Sequence, residues 1–285
     1  MNIFSNWIFY VFLYLIFSVA FNQFYKVTTK TMIKPGSLTV LMQFLAGTFC
    51  LFLMPFFEFT FPQDLKVYFF LGLAIIFYAL NDRIGTTVRS GLEASTCNVI
   101  KQLSTAFMIV FGLLFFKEPF VLNKIIGAFL IVLSNVLVFY EKKSFKLNKY
   151  VSLGIIANLC FTVALFIDVN YSEQFNLPFY VSLTLIVPAL LIFIFERLKL
   201  KDIFYEFNKG NKKTIIITSF CWGIMLFSQL MAYQLGKTTI VAPLCSLTVI
   251  LNVIIGYLFL GEKQHLYRKI IASILIIISV ILIKI

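Results

Sequence analysis

Residues 67–88 read VYFFLGLAIIFYALNDRIGTTV: a run of almost unbroken apolar residues to Leu80, then Asn81-Asp82-Arg83, then apolar sequence again. If the triplet were a loop, Val67–Leu80 would be too short to cross a bilayer, whose ~30 Å of hydrocarbon needs roughly 20 helical residues. If the triplet lies within the membrane, the segment is one span with ionisable groups at depth. The choice fixes how often the chain crosses, and the rest of the sequence decides it.

Ten charge-poor apolar stretches fill nearly the whole chain: Ile3–Tyr25, Gly36–Phe57, Val67–Val88, Ala94–Phe116, Phe120–Tyr140, Tyr150–Val169, Leu177–Phe195, Thr214–Gly236, Thr238–Leu260 and Leu266–Ile283. Short polar connectors separate them, with no soluble domain or long linker between. Unpaired backbone groups are costly in lipid, so such segments are helices, and they lack the alternation of a barrel. The first stretch is too long for a signal peptide and no basic residue precedes it, so it is expected to stay in the mature protein.

Shifting the sequence by 144 positions lays the fourth stretch on the ninth. Leu103 meets Leu247, Gly112 meets Gly256, Leu114 meets Leu258, Phe115 meets Phe259 and Glu118 meets Glu262. The same shift carries the uninterrupted eighth stretch, Thr214–Gly236, onto 70–92, straight through Asn81-Asp82-Arg83. The triplet is therefore expected inside a span. Each repeat holds five spans, an odd number, so the second copy enters from the opposite face. The expected fold is an all-α integral membrane protein with ten transmembrane helices in two inverted five-helix repeats, an architecture that secondary transporters share.

The charges alternate with this count. One set of connectors holds Lys26, Lys30 and Lys34, then Lys142, Lys143, Lys146 and Lys149, then Arg197, Lys199, Lys201, Lys209, Lys212 and Lys213, then Lys263, Arg268 and Lys269. The opposite set has only Lys66, Lys117, Lys124, Lys237 and Lys284. By the positive-inside rule the first set is cytoplasmic and both termini lie outside. The same lysines account for a pI near 9.5 by holding loops against an anionic leaflet, so no nucleic-acid partner is expected. Five cysteines, Cys50, Cys97, Cys160, Cys221 and Cys245, are widely spaced inside apolar stretches and read as small packing residues.

Leu258-Phe259-Leu260-Gly261-Glu262, with Ala272 beyond it, resembles the end of the repeat in the EamA family of the drug/metabolite transporter (DMT) superfamily. Phe115-Phe116-Lys117-Glu118-Pro119 followed by Gly127 is similar to the same element in the first half, with Lys117 where the family has Gly. Ala232-Tyr233-Gln234-Leu235, leading through Thr239 to Pro243, resembles the family's passage between the third and fourth helices of a repeat. The resemblance divides the chain into a first EamA-like repeat (1–140), a basic connector (141–149) and a second EamA-like repeat (150–285). It implies a carrier of small organic solutes working by alternating access, most often in a bacterial inner membrane, with both termini in the cytoplasm. The charge count favours the reverse orientation.

Glu118 and Glu262 read as helix-terminus residues, each meeting the positive end of the helix it precedes, with Pro119 suited to a first turn. The candidate binding residues lie deeper. Lys101 sits about as far after the turn near Gly91 as Asp82 lies before it, so the two share a depth in a helical hairpin. An ionisable group there faces a partner or a wet cavity. Asn98, Lys101, Gln102 and Thr105 recur at helical spacing and form one polar stripe. Cys245, Ser246 and Asn252 are the milder counterpart in the ninth stretch, where Pro243 would kink the helix; Asn158 and Gln229 add neutral polar groups near mid-depth.

Two readings of this set stand side by side. In one, Asp82 or Glu93 neutralises Lys101 or Arg83 and the amides join helices. In the other, Arg83 and Lys101, with Asp82 offsetting one charge, grip an anionic group on a solute, Arg as a bidentate fork and Lys as a point charge. The second makes the chain a secondary transporter of a small polar or anionic metabolite, of amino-acid or organic-acid type. No phosphate-binding Gly-x-x-x-x-Gly-Lys-Ser/Thr loop is present, so ATP drive is not expected, whereas coupling to protons, through Asp82 or Glu93, or to a counter-solute stays open. A lipid scramblase or a non-transporting membrane scaffold is the alternative. One histidine and scattered acids give little to build an enzyme, and no cofactor or metal is expected.

Overall fold

A computed structural model describes residues 6–115, 121–141, 144–145, 148–236, 241, 244–263 and 265–284. Within them the regular structure is helical apart from one two-residue antiparallel ladder, Tyr140–Glu141 against Ser144–Phe145, in the basic connector. The helices are α1 (Trp7–Thr29), α2 (Pro35–Leu51), α3 (Leu65–Gly91), α4 (Ala94–Lys101), α5 (Leu103–Phe115), α6 (Leu122–Phe139), α7 (Lys149–Tyr171), α8 (Leu177–Phe195), α9 (Leu200–Lys209), α10 (Lys212–Leu235), α11 (Thr248–Leu260) and α12 (Leu266–Lys284). Seven of these, α1, α2, α3, α7, α8, α10 and α12, are long and apolar enough to cross a membrane; α6 and α11 are apolar but shorter. Glu118 and its neighbours, Thr239, Pro243, and the connector lysines Lys142, Lys143, Lys146 and Lys237 lie outside the described residues.

The starts of the helices follow from local chemistry. Asn6, Asp64, Asn148, Asn176 and Asn211 each accept a hydrogen bond from a backbone N–H of the first turn they precede. Pro35 and Pro178 occupy first turns, where a missing N–H costs nothing. α11 ends at Gly261, whose φ of 66° is a left-handed cap open to glycine. α3 runs unbroken through Asn81-Asp82-Arg83, so the triplet lies within a helix, as expected from the sequence. The fourth stretch is instead divided: helical bonding lapses at Gln102, where the Ser104 hydroxyl takes the Lys101 carbonyl at 2.8 Å.

α1 packs along α10, α3 along α7, α2 along α8, α4 against α11 and α6 along α12. The largest buried cluster joins α1, α2, α8 and α10 through Tyr14, Met42, Leu185 and Met225. In lipid such contacts rest on close packing rather than on release of water. Gly223 of α10 lies so near α2 that a Cβ there would meet the Ala46 carbonyl at 2.9 Å. Large apolar side chains cover the outside, among them Phe12, Phe69, Phe129 and Ile194, more than a water-exposed surface normally carries.

One end of the bundle gathers the segments that carry most of the basic residues. Lys26 donates to the Arg89 carbonyl at 2.8 Å, Lys34 pairs with Asp202 at 2.9 Å, and the Tyr150 ring covers Gly91. Lys269 pairs with Glu93. The opposite end is tied by Asn176, which donates to the carbonyls of Phe57 and Glu58 at 3.2 and 2.9 Å. Residues 196–213, read from the sequence as connector, contain helix α9. Its Glu206 turns inward and accepts from the N–H groups of Ile33 and Lys34 at 2.9 and 3.0 Å, capping the start of α2.

Glu262 also meets a helix start, but not its own. It accepts from Ala94 N at 2.6 Å, Ser95 N at 3.1 Å and the Ser95 hydroxyl, so it caps α4 across the bundle. The absence of a side chain on Gly256 makes room for it, since a Cβ there would lie 2.7 Å from the carboxylate.

Candidate functional site

Between the helices lies a central cavity of about 90 Å³ walled by α1, α3, α4, α7, α8 and α10. Four of the residues picked from the sequence line it: Asp82, Lys101, Asn158 and Gln229. The other four, Arg83, Asn98, Gln102 and Ser246, are not among its lining residues. Arg83 leans toward the basic end, where its Nε pairs with Glu196 and its Nη1 donates to Thr87 at 2.8 Å. Asn98 faces α11 and donates to the Thr248 carbonyl at 3.2 Å. Gln102 marks the break between α4 and α5, and Ser246 lies buried just before α11.

The arginine of the cavity is Arg89, seven positions after Asp82 on the same face of α3. A helical side chain points back toward the helix start, which for α3 is away from the basic end. Gly85 lets it do so: a Cβ at that position would meet Arg89 Nη1 at 3.0 Å. The guanidinium then lies 4.6 Å from the Tyr25 ring centroid and 5.4 Å from that of Phe21, with Trp222 packed behind both rings. Lys101 enters from α4 and places its ammonium 5.1 Å from the Phe161 ring centroid. Such faces attract a cation without neutralising it.

Among the described residues neither the Lys101 ammonium nor the Arg89 guanidinium has a hydrogen bond or an ion pair, and Arg89 Nε is buried without a partner. Asp82 lies within electrostatic reach of both cations but spends its oxygens elsewhere: Oδ1 accepts from Asn81 and Oδ2 from Gln43, each at 2.7 Å. Glu93 is committed to Lys269, so it neutralises neither Arg83 nor Lys101. A second acid joins the cavity from α7. Asp168 is buried, with Tyr78 donating to Oδ2 and Tyr180 to Oδ1, the latter at 2.5 Å.

Sequence reasoning passed over Arg89, Asp168 and Gln43. Arg89 falls one residue past the expected end of its span at Val88, and the sequence reading assigns it no role. Asp168 stood one residue inside Val169; its signal was the spacing Asn158, Phe161, Leu165, Asp168, one face of α7. Near the cavity Pro188 lies inside α8 and removes the N–H that would bond the carbonyl of Thr184, a lining residue.

The fold and this cavity define an all-helical, multi-pass membrane protein with charged groups lining a cavity between its helices. No family profile matches the chain, and no curated protein matches it. Twenty-two chains of solved structures do. One, described only as "Crystal structure of protein", covers 96% of this chain and 94% of its own length with a TM-score of 0.64 and 12% identity. At that identity the likeness is one of fold.

Proposed function

We propose that the chain is a secondary transporter of the EamA type, moving a small polar or anionic metabolite, such as an amino acid or organic acid, across a bacterial inner membrane by alternating access. The observation that carries this is the pair Arg89 and Lys101: two cations lining a cavity between the helices with no carboxylate of the described residues within ion-pair distance. A charge at membrane depth costs at least ~2.5–3.5 kcal/mol on insertion scales, so it persists where water or a ligand meets it. The two would grip a carboxylate or phosphate, with Asp82 offsetting one charge.

The inverted repeat is supported by the packing itself. If the spans of each half are numbered in order, with α4 and α5 as one and residues 244–260 as another, the pair α1–α10 becomes α3–α7 when the halves are exchanged. The pairs α2–α8, α4–α11 and α6–α12 map onto themselves. The helix break recurs too: the Thr248 hydroxyl takes the Cys245 carbonyl at 2.9 Å, 144 positions after the Ser104–Lys101 bond. Two broken helices meeting near the centre are how transporters of this architecture build sites. By the positive-inside rule the basic end faces the cytoplasm.

Reconstituted protein tests the reading. Saturable solute counterflow in proteoliposomes is expected; redistribution of labelled lipid without solute exchange would replace the carrier with a scramblase.

A further inference from the structure

The cavity carries opposite charge at its two ends. Arg89 and Lys101 form a cationic end toward the basic side of the bundle. Along the wall made by α7, Phe161 lies beneath the Lys101 ammonium and Asp168 stands seven residues further on. Two helical turns at 1.5 Å per residue separate those levels by about 10 Å. Asp168 has a phenol hydroxyl donating to each oxygen, the arrangement of a carboxylate, and each oxygen keeps a second lone pair. Among the described residues no cation lies within 4.0 Å of it.

We infer, on the transporter reading above, that the solute is bipolar, with an anionic group held by Arg89 and Lys101 and a cationic group held by Asp168. Charge-assisted contacts of about 2.8 Å at each end leave roughly 5–8 Å between the solute's charged groups, depending on how obliquely it lies. The carboxyl carbon and nitrogen of an α-amino acid are only about 2.5 Å apart, too close to serve both ends. The cationic group is therefore on the tail. Asp82 does not compete for the tail, since it stands within electrostatic reach of Arg89 and Lys101 and offsets their charge.

Three five-carbon probes differing only in the tail test this on the purified full-length chain by titration calorimetry: L-ornithine, L-norvaline and L-glutamate, with a cationic, neutral and anionic end. L-Ornithine is expected to bind about tenfold or more tighter than L-norvaline, and L-glutamate weakest. Asp168→Asn should bring the ornithine-to-norvaline ratio to about one, while Asp168→Glu, which keeps the charge, should retain the preference. L-Glutamate binding as tightly as L-ornithine, an unchanged ratio in Asp168→Asn, or no binding of any probe would overturn the inference. The wild-type series decides even if Asp168→Asn does not fold. L-Ornithine binding in this order without counterflow would sink the transporter reading and leave the bipolar site standing.

Discussion

Arg83 and Arg89 lie six positions apart on one helix and do different work. Arg83 closes a partly exposed ion pair with Glu196, and such pairs contribute about 0.2–1 kcal/mol. Arg83→Gln should lower the melting temperature by about 2 °C and leave counterflow within about twofold. Arg89→Gln should abolish counterflow; equal activity of the two variants would show that the cavity arginine has been misassigned. Lys101→Gln removes an unpaired cation, so the apparent melting temperature without solute should hold or rise, whereas a structural ion pair would lose stability on losing a partner. Of the site, Asp82, Lys101, Asn158 and Gln229 were legible in the sequence, because Asp82 and Lys101 interrupt apolar runs and Asn158 and Gln229 fall near the middle of theirs. Arg89 and Asp168 were not, because each sits where a span could as well have ended. Which way a long side chain then points depends on a neighbour such as Gly85, seen only once the helix is built.

Among the elements, the long helices were readable because about 20 apolar residues in a row leave no other solution in lipid. α9 was not: ten residues with Lys201, Asp202, Glu206 and Lys209 resemble a solvated connector, and the helix is held by contacts far off in sequence. Glu206 supplies the main one by capping α2. Glu206→Ala should cost about 1 kcal/mol, as loss of a cap does, and speed hydrogen exchange over 196–213 with little change in transport rate. Unchanged exchange there would show that α9 is held by something else. The Lys199 backbone N–H and the Lys34 side chain hold the carboxyl of Asp202 below the usual carboxylate range. Its depressed value means the contribution is present at neutral pH and is lost as the pH falls through that value, below about 3.9. The break at Gln102 was equally hidden, since no proline or glycine marks it.

At the scale of the whole molecule, six of the described helices surround a charged cavity, with the basic segments gathered at one end. Cysteines introduced at Asn208 and Glu173, exposed at opposite ends, should divide cleanly in intact cells: the first silent to an impermeant thiol reagent, the second reactive. The reverse pattern would place the termini in the cytoplasm, as the EamA resemblance implies, and overrule the charge count. Glu118, at the same offset from Glu262 as every other repeated feature, gives the exchange of halves a second checkpoint. If the repeat holds, Glu118→Gln should impair transport about as much as Glu262→Gln. The central claim, that two unpaired cations lining a cavity between the helices carry a solute across, is tested most directly by counterflow in proteoliposomes holding wild type, Arg89→Gln or Lys101→Gln at matched density. Saturable exchange in the wild type and none in either variant is the predicted result; undiminished exchange in both variants would contradict it.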